Sequence, residues 1–340
     1  MRTVAAVSAL TVATTLASFA PRAEADTCSP AKAMVLLDKS SSMVTGSIGG
    51  VTKWNIAVDA LDQVLAEHDG KAEFGLMTFP NPSQCGPGHL DVSPRLAARS
   101  SIMGVLGTPP PNAGNWTPMS QTLDAAADEP SMISGDVPRH IILISDGWQW
   151  CSPYDPSTRF DGVDAVARLA GMGVTVHVVG FGASVDAAAL GQMAVMAGTA
   201  RPGCNPANDD PADPDQCYFQ ADNAAELVAA LDFIAEVVSV EVCDGVDNDC
   251  DGELDEYDGG MTELGSLCAS GEVCTDGGCE PVEPMDPFED DEEEGAPLDD
   301  DGSAAAGCGC RGGFDAGAAT PLLLGLALLV SRRRRDRDAA

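Results

Sequence analysis

Between residues 30 and 240 the chain alternates short, nearly continuous apolar runs with longer stretches whose apolar residues recur every three or four positions. The first kind reads as strands buried on both faces, the second as amphipathic helices. The run that starts at Met34 ends in Asp38, and Glu73 to Phe79 is stopped by Pro80. RHIILISDG covers Arg139 to Gly147, VTVHVVGFG covers Val174 to Gly182, and a short strand is expected at Tyr218 to Gln220. Trp54, Ala57, Val58, Leu61, Val64 and Leu65 predict a helix from about Lys53 to Glu67. Further helices are expected over Arg95 to Gly107, from residue 161 towards the next strand, over Asp186 to Ala197 and over Asn223 to Val238. Residues 81 to 95, rich in Pro and Gly, leave room for a short edge strand near His89 to Val92. This alternation implies an α/β fold, a doubly wound and mostly parallel central sheet flanked by helices.

Parallel strands deliver their carboxyl ends to one face, and there open α/β sheets bind ligands. Three segments end on it with oxygen-bearing side chains: Asp38 with Ser40 and Ser42 in DKSSS, Thr117 in NWTPMSQTLDAAA, and Asp146 in LISDG. Pro118 suits the start of a helix. Carboxylates and hydroxyls are hard donors, suited to Mg²⁺, Mn²⁺ or Ca²⁺ and unsuited to zinc or copper. The purely structural alternative is a Ser-rich turn, a capping Thr and a strand-end Asp, which requires three coincidences. Trp148 and Trp150 follow Asp146 at the rim, where they could anchor a partner or pack over loops pinned by Cys151. The four histidines, His68, His89, His140 and His177, have no ligand spacing; His177, inside a strand, reads as packed or hydrogen-bonded.

Charge and cysteine alter the picture outside this region. The formal charge of −35 is concentrated: residues 241 to 301 hold 24 of the 53 acids and no Lys or Arg, which excludes a nucleic-acid partner and favours a solvated or cation-binding tail. Residues 1–25, with Arg2, an apolar stretch from Val4 to Phe19 and Ala23-Glu24-Ala25, match a secretory signal peptide. Twelve Cys in an exported chain mean disulfides. Five (Cys28, Cys85, Cys151, Cys204, Cys217) fall in the sheet domain and five (Cys243, Cys250, Cys268, Cys274, Cys279) in the tail, so an odd number of bridges must cross if all ten pair. Strand and helix directions make Cys28–Cys243 the expected crossing bridge. They suggest Cys85–Cys151 at the metal face and Cys204–Cys217 as a local loop.

The segments DKSSS, WTPM and LISDG, in this order and at these separations, resemble the metal-ion-dependent adhesion site of a von Willebrand factor type A domain, here over about residues 30–240. The resemblance implies that Ser40, Ser42 and Thr117 contact a cation, Mg²⁺ or Mn²⁺, and that Asp38 and Asp146 hold it largely through water. It further implies a partner, a protein or extracellular-matrix ligand, whose carboxylate completes the coordination.

In the tail, residues 241–280 form a Cys-rich module. CDGVDNDCDGELDEYD aligns with an EF-hand-type loop: Asp247 first, Asp249 third, Asp251 fifth, Gly252 sixth, Leu254 eighth as its apolar residue and Asp258 twelfth, with Asp255 also a candidate Ca²⁺ ligand. It resembles the metal-binding repeat of bacterial surface proteins of the MopE type. Residues 281–307, with EDDEEE, read as an acidic disordered linker. Residues 308–340 carry Cys308 and Cys310, an apolar run from about Ala316 to Val330 and an Arg cluster. They resemble the myxobacterial C-terminal sorting signal, which implies cleavage near the Cys motif and transfer to the surface or outer membrane of a Gram-negative cell, anchored through the C-terminus; the alternative is a simple C-terminal anchor helix. The expectation is a non-enzymatic surface protein that binds through a cation; the alternative is an envelope component whose cations only stabilise the fold. G-x-S-x-G, P-loop and H-E-x-x-H motifs are absent, so no enzyme is expected.

Overall fold

Alternate residues of strand β1 (Lys32–Asp38) enter two different cores: Ala33, Val35 and Leu37 point into one, Met34 and Leu36 into the other. This two-sided burial is why the strand is apolar without alternation. The computed structural model describes residues 28–133, 137–256, 267–268 and 272–281, which lie within one compact unit ending at Pro284. The expected signal peptide, Asp258, the acidic linker, Cys308, Cys310 and the C-terminal apolar run lie outside the described residues. Among the described residues no helix is long and apolar enough to cross a membrane.

After β1 come the short α1 (Ser41–Thr45), a small hairpin of β2 (Ser47–Ile48) and β3 (Val51–Thr52), and the long α2 (Lys53–His68). Strand β4 (Glu73–Phe79) pairs in parallel with β1, and β5 (His89–Arg95) returns antiparallel at the edge. Helices α3 (Arg99–Leu106), α4 (Met119–Ala127) and α5 (Pro130–Ile133) lead to β6 (Arg139–Ser145), which pairs with the other side of β1. Then follow α6 (Asp161–Gly171), β7 (Val174–Phe181), α7 (Ala187–Ala197), β8 (Phe219–Ala221) and α8 (Ala224–Val238). The sheet order β5-β4-β1-β6-β7-β8 is parallel except at β5. Helices α1, α2, α3 and α8 cover one face, and α4, α6 and α7 cover the other.

Strand order reverses at β1: the chain first builds outward through β4, then crosses to β6 on the opposite side. The crevice at such a switch point lies between the carboxyl ends of the two strands. Asp38 closes β1, and Asp146 directly follows β6.

Helix α3 starts four residues later than its apolar pattern suggests. The edge strand β5 runs on to Arg95, tolerating Pro94 as edge strands can, and Ala97 then turns the chain at φ 54°. The first amides of α3 are capped from a distance, Ala98 and Arg99 donating to the Asp69 carboxylate at 2.7 and 2.9 Å.

The tail folds back on the opposite pole. The expected Cys28–Cys243 bridge does not form: Cys28 pairs with Cys250, and Cys243 pairs with Cys274 on the tail hairpin of β9 (Glu272–Thr275) and β10 (Gly278–Pro281). The reason is the path after α8, which brings Asp247 against the start of the domain, where its carbonyl accepts from the Ser29 amide at 2.9 Å. One bridge therefore still crosses, but seven residues further along. Cys85–Cys151, Cys204–Cys217 and Cys268–Cys279 are the other bridges among the described residues.

Across β6 and β7, His140 Nδ1 and His177 Nε2 lie 3.2 Å apart, with the rings stacked at 5.5 Å. One ring nitrogen donates to the other, which requires the accepting ring to be neutral. Burial lowers His140 to about 4; burial first, and then His140, lowers His177 to about 3. Groups with depressed folded-state values leave the unfolded chain binding more protons below its ordinary imidazole value, so stability falls as pH drops from about 6.5 towards 4. Urea unfolding at pH 7 and pH 4.5 should show the wild type losing roughly 5 kcal/mol more than His140→Leu/His177→Leu. Equal losses in the two proteins would rule out the pair as the cause.

Candidate metal centre

Ser40 occupies the position preceding α1, where a serine hydroxyl ordinarily caps the helix. Here it makes no cap bond; its Oγ lies 2.9 Å from Ser42 Oγ and 3.5 Å from Asp146 Oδ1. Ser42 Oγ donates to the same Asp146 oxygen at 2.7 Å. Asp38 is held by two donors, the Ser40 amide on Oδ1 and the Ser145 hydroxyl on Oδ2, each at 2.7 Å. Thr117 reaches this face on the loop before α4. Its backbone exchanges two hydrogen bonds with Trp150, at 2.9 and 3.0 Å, and a Cβ placed on Gly147 would lie 3.5 Å from Thr117 Oγ1. Thr117 therefore stands over the residue next to Asp146, and with Ser40 and Ser42 it lines one open cleft of about 560 Å³.

The charge of this cluster is its main physical feature. Asp38 and Asp146 are both buried. Burial first, then the Asp146 charge, push Asp38 up to about 7, against the hydrogen bonds from Ser145 and Ser40. One counter-ion is built in: Lys53 Nζ lies 2.9 Å from Asp146 Oδ2, and both side chains are almost fully buried. Lys53 sits in the first turn of α2, where the helix dipole disfavours a cation. That misplacement is the sequence signal for Lys53; Ser145, which donates to Asp38, carries no such signal. Gly46 and Gly182 pack against the lysine stem; Gly182 has φ +83°, and a Cβ there would come within 3.1 Å of Nζ.

The donor set fits a hard divalent cation. Ser40, Ser42 and Thr117 would hold it through neutral hydroxyls, with the Asp38 and Asp146 carboxylates supplying charge behind them.

The family model of the von Willebrand factor type A domain matches residues 34–228. The chain belongs to this family. Solved structures similar to the type A domain include proximal thread matrix protein 1 from the mussel byssus, at 19% identity over 65% of this chain and 52% of that one, TM-score 0.44. That protein is also known with zinc in its adhesion motif. Others are a von Willebrand factor type A protein from Catenulispora acidiphila (15% identity, 62% of this chain, 43% of that chain, TM-score 0.43) and the pilus adhesin SpaC from Lactobacillus rhamnosus GG (15%, 63%, 31%, 0.44). The chain spans about half the length of the first of these. No curated protein matches it.

Beside the oxygen cluster of the type A domain stand Trp148 and Trp150, 40% and 38% exposed, with Gln149 turned inward between them to accept from the Ser120 amide at 2.9 Å. Trp150 stacks on Tyr154 at 4.2 Å. Arg159 lies over Trp148 and is itself gripped by Asp186 at 2.6 and 2.8 Å.

At the far pole, Asp247, Asp249 and Asp251 bring carboxylate oxygens within 4.8 Å of one another. Asp247 is 2% exposed and its Oδ1 has no hydrogen-bond partner. Asp255, expected among the ligands, is turned away: its carboxylate accepts from the Asp244 and Gly245 amides at 2.9 Å each. Leu254, expected as the apolar residue of an EF-hand-type loop, is half exposed. The cause is Glu241, which the calcium-loop pattern does not include. Its buried carboxylate gathers the amides of Asn248, Asp249 and Asp255 at 2.6, 2.7 and 3.2 Å, replacing the helical frame of an EF-hand. Lys71 reaches across from the type A domain to Asp249 at 3.0 Å.

Two outcomes follow. In Lys53→Met, Asp146 stays buried without its counter-ion, so stability in chelator should fall by about 3 to 5 kcal/mol. Mg²⁺ should restore part of the loss; an equal loss with and without Mg²⁺ would reduce Lys53 to a packing residue. In the tail, with Mg²⁺ in excess throughout, added Ca²⁺ should raise the unfolding temperature of the wild type and leave that of Asp247→Asn unmoved, as read by calorimetry.

Proposed function

We propose that this chain is an exported, non-enzymatic surface protein that binds a protein or matrix partner through a divalent cation, Mg²⁺ or Mn²⁺, held by Asp38, Ser40, Ser42, Thr117 and Asp146. The observation that carries the reading is the meeting of Ser40 and Ser42 with Asp146 in a cleft that Thr117 also lines. Neutral hydroxyls in front leave most of a dication's charge available, and that charge supplies the attraction for a partner's carboxylate. Lys53 supports binding over a purely structural role, because it already balances Asp146 without a cation. The carboxylates of the cluster are already engaged: the oxygens of Asp38 accept from Ser40 and Ser145, and those of Asp146 from Ser42 and Lys53.

The tail complements this role. Three close carboxylates, one with a buried oxygen lacking a partner, support Ca²⁺ binding in a MopE-type loop that stiffens the base of the domain. The pattern of residues 308–340 supports a sorting signal and anchoring through the C-terminus on a Gram-negative surface, with the acidic linker as spacer.

The test is a pull-down from surface extracts in Mg²⁺ and in chelator, with wild type and Thr117→Val. Valine keeps the shape of threonine and leaves the Lys53–Asp146 pair intact, so folding is spared. The partner should bind wild type only in Mg²⁺ and should bind the variant in neither condition. Binding unchanged by chelator would reject the reading.

A further inference from the structure

The face around the oxygen cluster has a second half that cation binding does not use. Trp116, Trp148, Trp150 and Tyr154 line the same cleft as Ser40, Ser42 and Thr117. These aromatics are braced from behind. Trp150 is fixed at its backbone by Thr117 and on one ring face by Tyr154, parallel within 5°. Trp148 lies under the Arg159 guanidinium at 4.6 Å, and that guanidinium is also held against Phe160 and clamped by Asp186, a buried residue that caps α7. Two large indoles are thus left partly exposed with little freedom still to lose, the condition under which aromatic side chains contribute most to an interface.

The polar atoms of the cleft decide what those rings suit. Ser41 Oγ accepts from the Asn115 amide at 3.0 Å, and Asn115 Nδ2 donates to the Lys39 carbonyl at 3.3 Å. The amide and carbonyl of Thr117 are paired with those of Trp150. Beyond the cluster of Ser40, Ser42 and Thr117, the lining of the cleft is mostly carbon, and the side-chain groups it leaves for a ligand's hydroxyls are the indole N–H groups of the three tryptophans and the Tyr154 hydroxyl. A sugar ring seated here would leave several of its own hydroxyls without partners, at a cost of about 1 to 3 kcal/mol for each one buried. A large apolar side chain forfeits nothing and gains the burial of both surfaces.

We infer that the cleft takes an acidic protein segment in which an aromatic or large aliphatic residue directly neighbours the Asp or Glu, the carboxylate facing Ser40, Ser42 and Thr117 and the apolar side chain packing on Trp148 and Trp150. The inference rests on the cation-dependent binding proposed above and adds to it the class of the partner. Trp148 and Trp150 then set specificity, while the oxygen cluster supplies the charge-dependent part. Arg159 and Asp186 act as positioning residues.

The experiment is a tryptophan-fluorescence titration of the full chain with three probes: acetyl-Gly-Phe-Asp-Gly-amide, the same peptide with Ala in place of Phe, and a digalacturonate, each in Mg²⁺ and in chelator. The Phe peptide should bind at least about tenfold more tightly than the Ala peptide in Mg²⁺, a difference of about 1.4 kcal/mol. That advantage should disappear in Trp150→Ala and in Trp148→Ala, followed by calorimetry where a fluorophore is removed. The Ala peptide should keep its Mg²⁺-dependent binding in both variants, which shows that the oxygen cluster survives the substitution. Equal Mg²⁺-dependent binding of the two peptides to wild type would overturn the inference and leave cation-dependent binding standing. Tighter binding of the digalacturonate than of the Phe peptide would overturn it in favour of an acidic saccharide. Binding of every probe indifferent to chelator would remove the cation-dependent reading, and this inference with it.

Discussion

Two carboxylates share one buried crevice, and the rest of this face answers to that constraint. Parallel pairing of β1 with both β4 and β6 brings Asp38 and Asp146 together at the point where strand order reverses. In an interior of low effective dielectric, such a pair repels strongly and must be balanced. The fold supplies Lys53 from the first turn of α2, hydrogen-bond donors from Ser145, Ser40 and Ser42, and a cleft open to a cation from outside. Each device is inexpensive because it comes from an element the sheet already positions. The lysine is tolerated at a helix start only because a carboxylate faces it.

The two poles of β1 use oxygen chemistry in opposite ways. At the carboxyl end, hydroxyls stand in front and the acids behind, an arrangement that would leave most of a bound cation's charge unneutralised. Near the amino end, Asp247, Asp249 and Asp251 crowd carboxylates together, an arrangement that quenches a cation's charge and suits stiffening. That pole is tied down by Cys28–Cys250, by the Ser29 amide on the Asp247 carbonyl and by Lys71 on Asp249. The first pole is tied by Cys85–Cys151 and by the reciprocal backbone pair of Thr117 with Trp150, which joins the oxygen cluster to the aromatic wall. A hydroxyl-fronted oxygen cluster and a carboxylate cluster thus sit at the two ends of one strand.

What could be read from the chain alone was whatever depends on local periodicity and on side-chain chemistry. The strands at Glu73–Phe79 and Arg139–Ser145 and the helices near Lys53 and Asn223 follow from apolar spacing, because burial on one or two faces imposes that spacing on the residues themselves. The oxygen donors Asp38, Ser40, Ser42, Thr117 and Asp146 were legible because each lies at the end of such an element. The tertiary structure alone decided what bridges distant segments. Lys53 meets Asp146 across 93 positions, Asp69 caps α3 from about 30 residues away, and Cys28 selects Cys250 over Cys243 through the path of the chain after α8. Glu241 likewise draws Asp255 out of the carboxylate cluster by gathering the amides around it. No periodicity encodes these contacts, because charge pairs and remote caps depend on distances in space, and those are set only once the sheet has fixed the strand order.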